Sequence, residues 1–169
     1  MDSDEMCLII VRGNSGSGKT SLARAVRKIK PREVAIVGQD ILRRQVLHVR
    51  DEPNNAAVGL IDLTARYALE QGFHVLIEGI LKESIYGPML RTLISDHQGT
   101  TFSYRYDLTF EETLRRHSSK NVSSQFGEEE MRQWWIDRDS LSGIDEIVFD
   151  AEVSLSEATR RVASDCKWF

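Results

Sequence analysis

Gly13-Asn14-Ser15-Gly16-Ser17-Gly18-Lys19-Thr20 follows the apolar run Cys7-Leu8-Ile9-Ile10-Val11, and this succession of a buried strand and a glycine-rich turn decides the fold. The eight residues fit G-x-x-x-x-G-K-[ST], the pattern of a phosphate-binding loop. Gly13, Gly16 and Gly18 let the backbone turn so that successive N–H groups face phosphate oxygens, at the positive end of a helix beginning near Lys19. Lys19 would reach the β- and γ-phosphates, and Thr20 would place its hydroxyl on Mg²⁺. Gly13, Asn14, Ser15, Gly16, Ser17, Gly18, Lys19, Thr20 and Ser21 are therefore the candidate nucleotide-binding set, with ATP and Mg²⁺ as the expected cofactors. A glycine-rich turn with a stray lysine is the bland alternative, and the strand before the loop and the helix after it speak against it.

The chain has 169 residues, of which 41% are hydrophobic, enough for one core and too few for two ordinary domains. Residues 1–169 are read as a single domain, with a lid at about 118–139. No stretch approaches the roughly 20 apolar residues of a membrane span, and Met1-Asp2-Ser3-Asp4-Glu5 is acidic where a signal peptide is basic, so a cytoplasmic protein without a membrane partner is expected. The two cysteines, Cys7 and Cys166, fit no metal spacing and no disulfide framework, and Cys7 reads as a buried apolar residue. A net charge of −4 removes the broad positive field of a nonspecific nucleic-acid binder. Small-molecule acceptors gain weight accordingly, and a nucleic acid end becomes the less favoured partner.

Five apolar runs, at Leu8 to Val11, Val34 to Val37, Val75 to Ile77, Phe102 to Tyr106 and Ile147 to Phe149, alternate with helical patterns. That alternation predicts an α/β fold, a parallel sheet covered by helices. Leu22, Ala25, Val26 and Ile29 share a helix face that Pro31 ends, and Ala57, Leu60, Ile61, Thr64 and Ala68 recur between an Asn54 or Asn55 cap and a Gly72 stop. Pro88 marks the first turn of a helix through His97; Phe110 to Ser118 and Leu155 to Asp165 read as two more, the last opened by Ser154 or Ser156. Ser118 to Gly127 has the polar, small-residue composition of a mobile loop, and Glu128 to Asp139 reads as a helix after it.

Two acids stand where strands end. Val37-Gly38-Gln39-Asp40 closes the second strand, and ligands of open α/β sheets sit outside such carboxyl ends. Asp40 there would accept the proton of an attacking hydroxyl, or cap the helix that starts at Ile41; the two roles can coexist. Arg43, one turn on, would hold the acceptor or phosphate, or lie solvated. Val75-Leu76-Ile77-Glu78-Gly79 closes the third strand, so Glu78 would orient Mg²⁺ through water or bind the acceptor, or pair with a neighbouring lysine.

Toward the lid, Arg116 and Lys120 are one helical turn apart and are candidates for a phosphate clamp, though cations there also complement a helix dipole. Arg132 would close over the transferring phosphate, or form an i,i+4 ion pair with Glu128. Trp134 and Trp135 point about 100° apart on a helix, so at most one enters the main core; plain packing is the favoured reading. His117 is a lid contact or a surface histidine.

The phosphate loop, the Asp40-Ile41-Leu42-Arg43 step, the Ile77-Glu78-Gly79 strand end and the Phe110-Glu111-Glu112-Thr113-Leu114-Arg115-Arg116-His117 segment together resemble the small P-loop kinases grouped with polynucleotide kinase, zeta toxins and chloramphenicol phosphotransferase. The resemblance spans about Leu8 to Asp165. It implies a P-loop NTPase three-layer sandwich with a five-stranded parallel sheet of order 2-3-1-4-5 and a helical lid. It also implies ATP-dependent phosphorylation of a hydroxyl, with Asp40 as base and Arg116 and Arg132 neutralising phosphate, and leaves the acceptor unnamed. A nucleoside monophosphate kinase is a close rival, but its acceptor is already ionised and needs no base at position 40. A nucleotide-dependent switch would need a water-positioning residue that the sequence does not offer.

Overall fold

The structure, a computed structural model, describes residues 6–119 and 126–169. Its centre is a five-stranded parallel sheet in which β1 (Leu8–Arg12), β2 (Val34–Gly38), β3 (His74–Gly79), β4 (Thr101–Tyr106) and β5 (Glu146–Phe149) lie in the order β2-β3-β1-β4-β5. This is the expected order. All five residues of β1 and all six of β3 are buried, as strands covered on both faces must be.

Two helical layers do the covering. On one face, Leu22, Ala23 and Val26 of α1 (Lys19–Ile29) and Ala158 and Val162 of α6 (Leu155–Asp165) pack on Ile9, Val11, Leu76 and Tyr104. On the other, Ile61, Ala65 and Leu69 of α2 (Ala56–Glu70) and Tyr86, Leu90 and Leu93 of α3 (Glu83–Asp96) pack on Leu8, Ile10, Val75 and Ile77. The three-layer sandwich follows from the alternation of β1's side chains, odd residues to one layer and even to the other. Asn55, not Asn54, caps α2, accepting from the Ala57 N–H at 2.9 Å, and Ser154 with Glu157 forms a capping box on α6. Cys7 and Cys166 are both free and buried.

Several expectations about helix bounds need correction. Pro88 lies inside α3, which opens five residues earlier at Glu83, because the apolar stripe Tyr86, Leu90, Leu93 makes burial outweigh the proline's lost N–H. The segment after β2 is a π-helical turn, Ile41–Leu47, and Asp40 at its start makes no capping hydrogen bond with its side chain. The helix read over Glu128 to Asp139 stops early: after α4 (Phe110–Ser118), α5 covers only Glu128–Trp134, and Trp135 is already extended at φ −62° and ψ 132°. Among the described residues no helix is long and apolar enough to cross a membrane.

Candidate active site

The glycine loop joins the carboxyl end of β1 to α1. Gly16 and Gly18 hold φ of 81° and 107°, left-handed values that cost a side-chain-bearing residue strain. Gly18 caps α1 without a side chain, and no acid occupies the first turn, so the helix N–H groups face the loop's concavity. Lys19 is buried, and its Nζ donates to the Asn14 carbonyl at 2.8 Å and to Ser17 Oγ at 3.4 Å.

Sheet register delivers the two acids. Gly38 lies beside Glu78, and Glu78 beside Val11, so the ends of β2, β3 and β1 form one row beneath the loop. Thr20 Oγ1 donates to Glu78 Oε1 at 3.2 Å, which brings the two expected metal-site residues together. Burial pushes the Glu78 carboxyl up, and the charge of Asp40 adds to that; Lys19 and the Thr20 hydroxyl oppose it. Asp40 itself is open to solvent, its side chain 69% exposed, with Arg43 Nη2 at 3.6 Å from Oδ1. Arg43 is drawn back onto its own turn, donating from Nη1 to the Val49 carbonyl at 2.9 Å.

The opposite wall is built from α4 and α5. Arg116 donates to the Ser17 carbonyl at 2.8 Å, to Glu112 Oε1 at 2.9 Å and to the Ala151 carbonyl at 3.4 Å. It therefore touches the glycine loop itself, and Arg115 and Arg116 together draw the Glu112 carboxyl down to about 2. Gly16 sits directly under this wall: a Cβ there would lie 2.6 Å from the Thr113 carbonyl oxygen and 2.9 Å from Met131 Cε. Arg132 is not brought to the loop. It pairs with Glu128 at 2.7 Å, lies 4.3 Å above the Phe110 ring and has a side chain 64% exposed. Lys120 lies outside the described residues.

The paired tryptophans pack on neighbours of the same wall and stay out of the sheet core. Trp134 meets Phe126 edge-on at 5.1 Å, and Trp135 meets Phe110 at 5.5 Å. The Arg44 guanidinium, from the π-helical turn, stands 5.6 Å from the Trp134 ring centre, so the two walls approach each other across the site. His117 is buried; its Nε2 donates to the Phe126 carbonyl at 2.8 Å and its ring stacks on Phe126.

Several of the site's contacts have no signature in the sequence. Arg12, just before the loop, is 1% exposed and binds Asp139 and Glu146, each at 2.6 Å, plus the Leu81 carbonyl at 3.1 Å. Asp139 in turn accepts from the Glu83 N–H at 2.9 Å. Asn14 holds Ile136 by two hydrogen bonds, from Nδ2 to the carbonyl at 2.7 Å and from the Ile136 N–H to Oδ1 at 2.9 Å. A narrow cleft opens between the loop and this limb, lined among others by Arg12, Asn14, Arg105, Tyr106, Trp135 and Arg138. Asp40, Arg43 and Glu78 do not line it; they stand on the β2–β3 side. Strand-end position located the acids, whereas a buried arginine in β1 looks like any other strand residue until its partners are folded against it.

The glycine loop between β1 and α1, on a parallel sheet ordered 2-3-1-4-5, makes an α/β fold that solved kinase structures share. Three solved structures illustrate the likeness. The Mycobacterium tuberculosis APS kinase CysC, solved with AMPPNP and APS, matches with a TM-score of 0.70 at 18% identity, over 96% of this chain and 98% of that one. A gluconokinase from Sinorhizobium meliloti gives 0.63 at 16% identity, over 99% and 94% of the two chains. The Deinococcus radiodurans tunicamycin resistance protein gives 0.60 at 14% identity, over 94% of each. At these identities the likeness establishes the fold. No protein-family model matches the chain, and no curated protein matches it in sequence.

Proposed function

We propose that this protein is an ATP-dependent kinase that transfers the γ-phosphoryl group to a hydroxyl of a small-molecule or nucleoside-type acceptor. The observation that carries the reading is the meeting of the glycine loop, the Thr20–Glu78 pair and Arg116 at the carboxyl edge of the sheet. Phosphoryl transfer asks chiefly for positioning and for cations placed where charge accumulates, and these groups supply both. Lys19 would exchange the Asn14 carbonyl for phosphate oxygens. Arg116, already on the loop, would neutralise developing charge, and Arg132 could join it only by leaving Glu128.

The donor set suits Mg²⁺, since Thr20 and Glu78 offer hard oxygens. Among the described residues no group of three or more His, Cys, Asp or Glu could hold a metal alone, so the cation would arrive with the nucleotide. Bound Mg²⁺ would supply charge neutralisation along the phosphates. Asp40 is proposed as the base: its carboxylate is solvent-open at the end of β2, beside the acid that borders Thr20, where a hydroxyl could reach it. The acceptor, with Arg43 and Glu78 as candidate contacts, would enter from solvent on that side. The structural neighbours named above, an APS kinase and a gluconokinase among them, make a kinase the natural use of this fold.

The test is incubation with γ-labelled ATP and Mg²⁺ against pooled nucleosides, sugars, hydroxylated antibiotics and 5′-hydroxyl oligonucleotides. Label should enter one pool, Lys19→Ala should abolish transfer, and Asp40→Asn should lower it about a hundredfold while nucleotide still binds. Labelled inorganic phosphate alone, unchanged in Asp40→Asn, would reject the kinase reading.

A further inference from the structure

Asn14 is the second residue of the glycine loop, and the two ends of this one residue face different parts of the molecule. Its main-chain carbonyl accepts from Lys19 Nζ at 2.8 Å and from the Ser17 N–H at 3.2 Å. Its side-chain amide pairs with both polar groups of the Ile136 backbone, at 2.7 and 2.9 Å. A carboxamide matches a peptide unit in this donor-and-acceptor pairing, as one strand matches another. Ile136 can offer both groups because the chain turns extended at Trp135.

The neighbouring contacts fix what this pairing does. Beyond Ile136 the limb is anchored by Asp139 to buried Arg12, a contact independent of the loop's conformation because Arg12 belongs to β1. Before it, α5 rests on Gly16 through Met131. Between the strand anchor and the helix, the Asn14–Ile136 pair is a polar link by which loop and limb hold one another.

We infer that Asn14 is a positioning residue that latches the α5 limb to the phosphate loop, so that a shift of the loop's main chain is passed to the lid. This rests on the nucleotide-binding reading above. A phosphate that draws Lys19 Nζ off the Asn14 carbonyl acts on the residue that holds the limb, and closure thereby answers to loop occupancy. Asn14 contributes to the phosphate site through its backbone, and its side chain serves the lid.

The chain's three tryptophans allow a direct test, because Trp168→Phe leaves only Trp134 and Trp135 as indoles. In that background the probe is Mg²⁺·AMPPNP, with affinity measured by calorimetry and lid exposure by acrylamide quenching. At saturating nucleotide, the indoles of Asn14→Ala should be quenched at least about twofold more strongly than those of its parent, as expected for a closed population lowered by two lost hydrogen bonds. Asn14→Leu should do the same, since it keeps nearly the same shape, offers Ile136 neither donor nor acceptor, and sets no charge against the phosphates. Being nearly isosteric, it carries the test if alanine does not fold. Parental quenching in both variants would overturn the latch, as would loss of nucleotide binding in variants that melt like the parent. Failure of the Trp168→Phe parent and the unaltered chain to bind the probe would instead overturn the kinase reading itself, before any variant is compared.

Discussion

The two walls of the candidate site are built by different means. On the β2–β3 side, Asp40 and Glu78 stand where they do because parallel register aligns Gly38 with Glu78 and Glu78 with Val11. On the α4–α5 side nothing is aligned by a ladder. Arg116 reaches Ser17 across 99 residues, and Arg12 and Asn14 reach Asp139 and Ile136 across 127 and 122. One wall is local geometry extended sideways by hydrogen bonding between strands. The other is a set of separate side-chain contacts, each of which can be lost alone.

The strongest way to break this comparison is at Arg12, which lies beneath both walls. Replacing it with alanine leaves Asp139 without its guanidinium and the 4%-exposed Glu146 with only that of Arg105, at 3.4 Å. Removing one partner of so buried a network should cost about 3–5 kcal/mol in urea unfolding. A loss below about 1 kcal/mol would mean that the limb is not held from β1, and the contrast between the walls would fail.

Glu78 sharpens the other side. Its raised carboxyl keeps a proton in the folded state to higher pH than in the unfolded chain. Its cost to stability is therefore absent below the ordinary carboxylate range, grows as pH rises from there, and is complete once pH has passed through the folded value. Glu78→Gln should match the parent in stability near about pH 4 and exceed it increasingly toward about pH 8, measured without nucleotide. The same variant should weaken Mg²⁺-dependent nucleotide binding by about tenfold, by removing the carboxylate behind Thr20. A stability difference independent of pH would show that the buried charge is not the cause.

The smallest effect is expected at Arg132. Its i,i+4 pair is solvent-open, so Arg132→Ala should change the unfolding free energy by no more than about 0.5 kcal/mol. Transfer falling by more than about tenfold in that variant would place Arg132 over the phosphates during turnover and would make the second wall more mobile than its contacts suggest.

Much of the first wall was legible in the sequence because apolar runs ending in an acid say where strands stop, and a glycine pattern says what the turn holds. Leu8 to Val11, Val34 to Val37 and Val75 to Ile77 are visible as runs, and Asp40 and Glu78 follow from them. The sheet order came from resemblance to known kinases, since nothing in a strand's own sequence names its neighbours. The α5 segment was over-read as far as Asp139 because Glu128 to Trp134 is helical by propensity and no glycine or proline marks the stop. What ends it is partly a side chain from the glycine loop, more than a hundred residues away. Pro88 misled in the opposite direction, since a residue favoured at helix starts was tolerated inside one by a buried stripe. Arg116 was read as a lid cation, and its bond to the Ser17 carbonyl needed the folded chain.

Because α4 is tied to the loop at Arg116 and the return limb is tied again at Ile136 and Asp139, the stretch between the two attachments is bracketed. Insertions, deletions and drift can accumulate within that bracket while the groups below keep their coordinates.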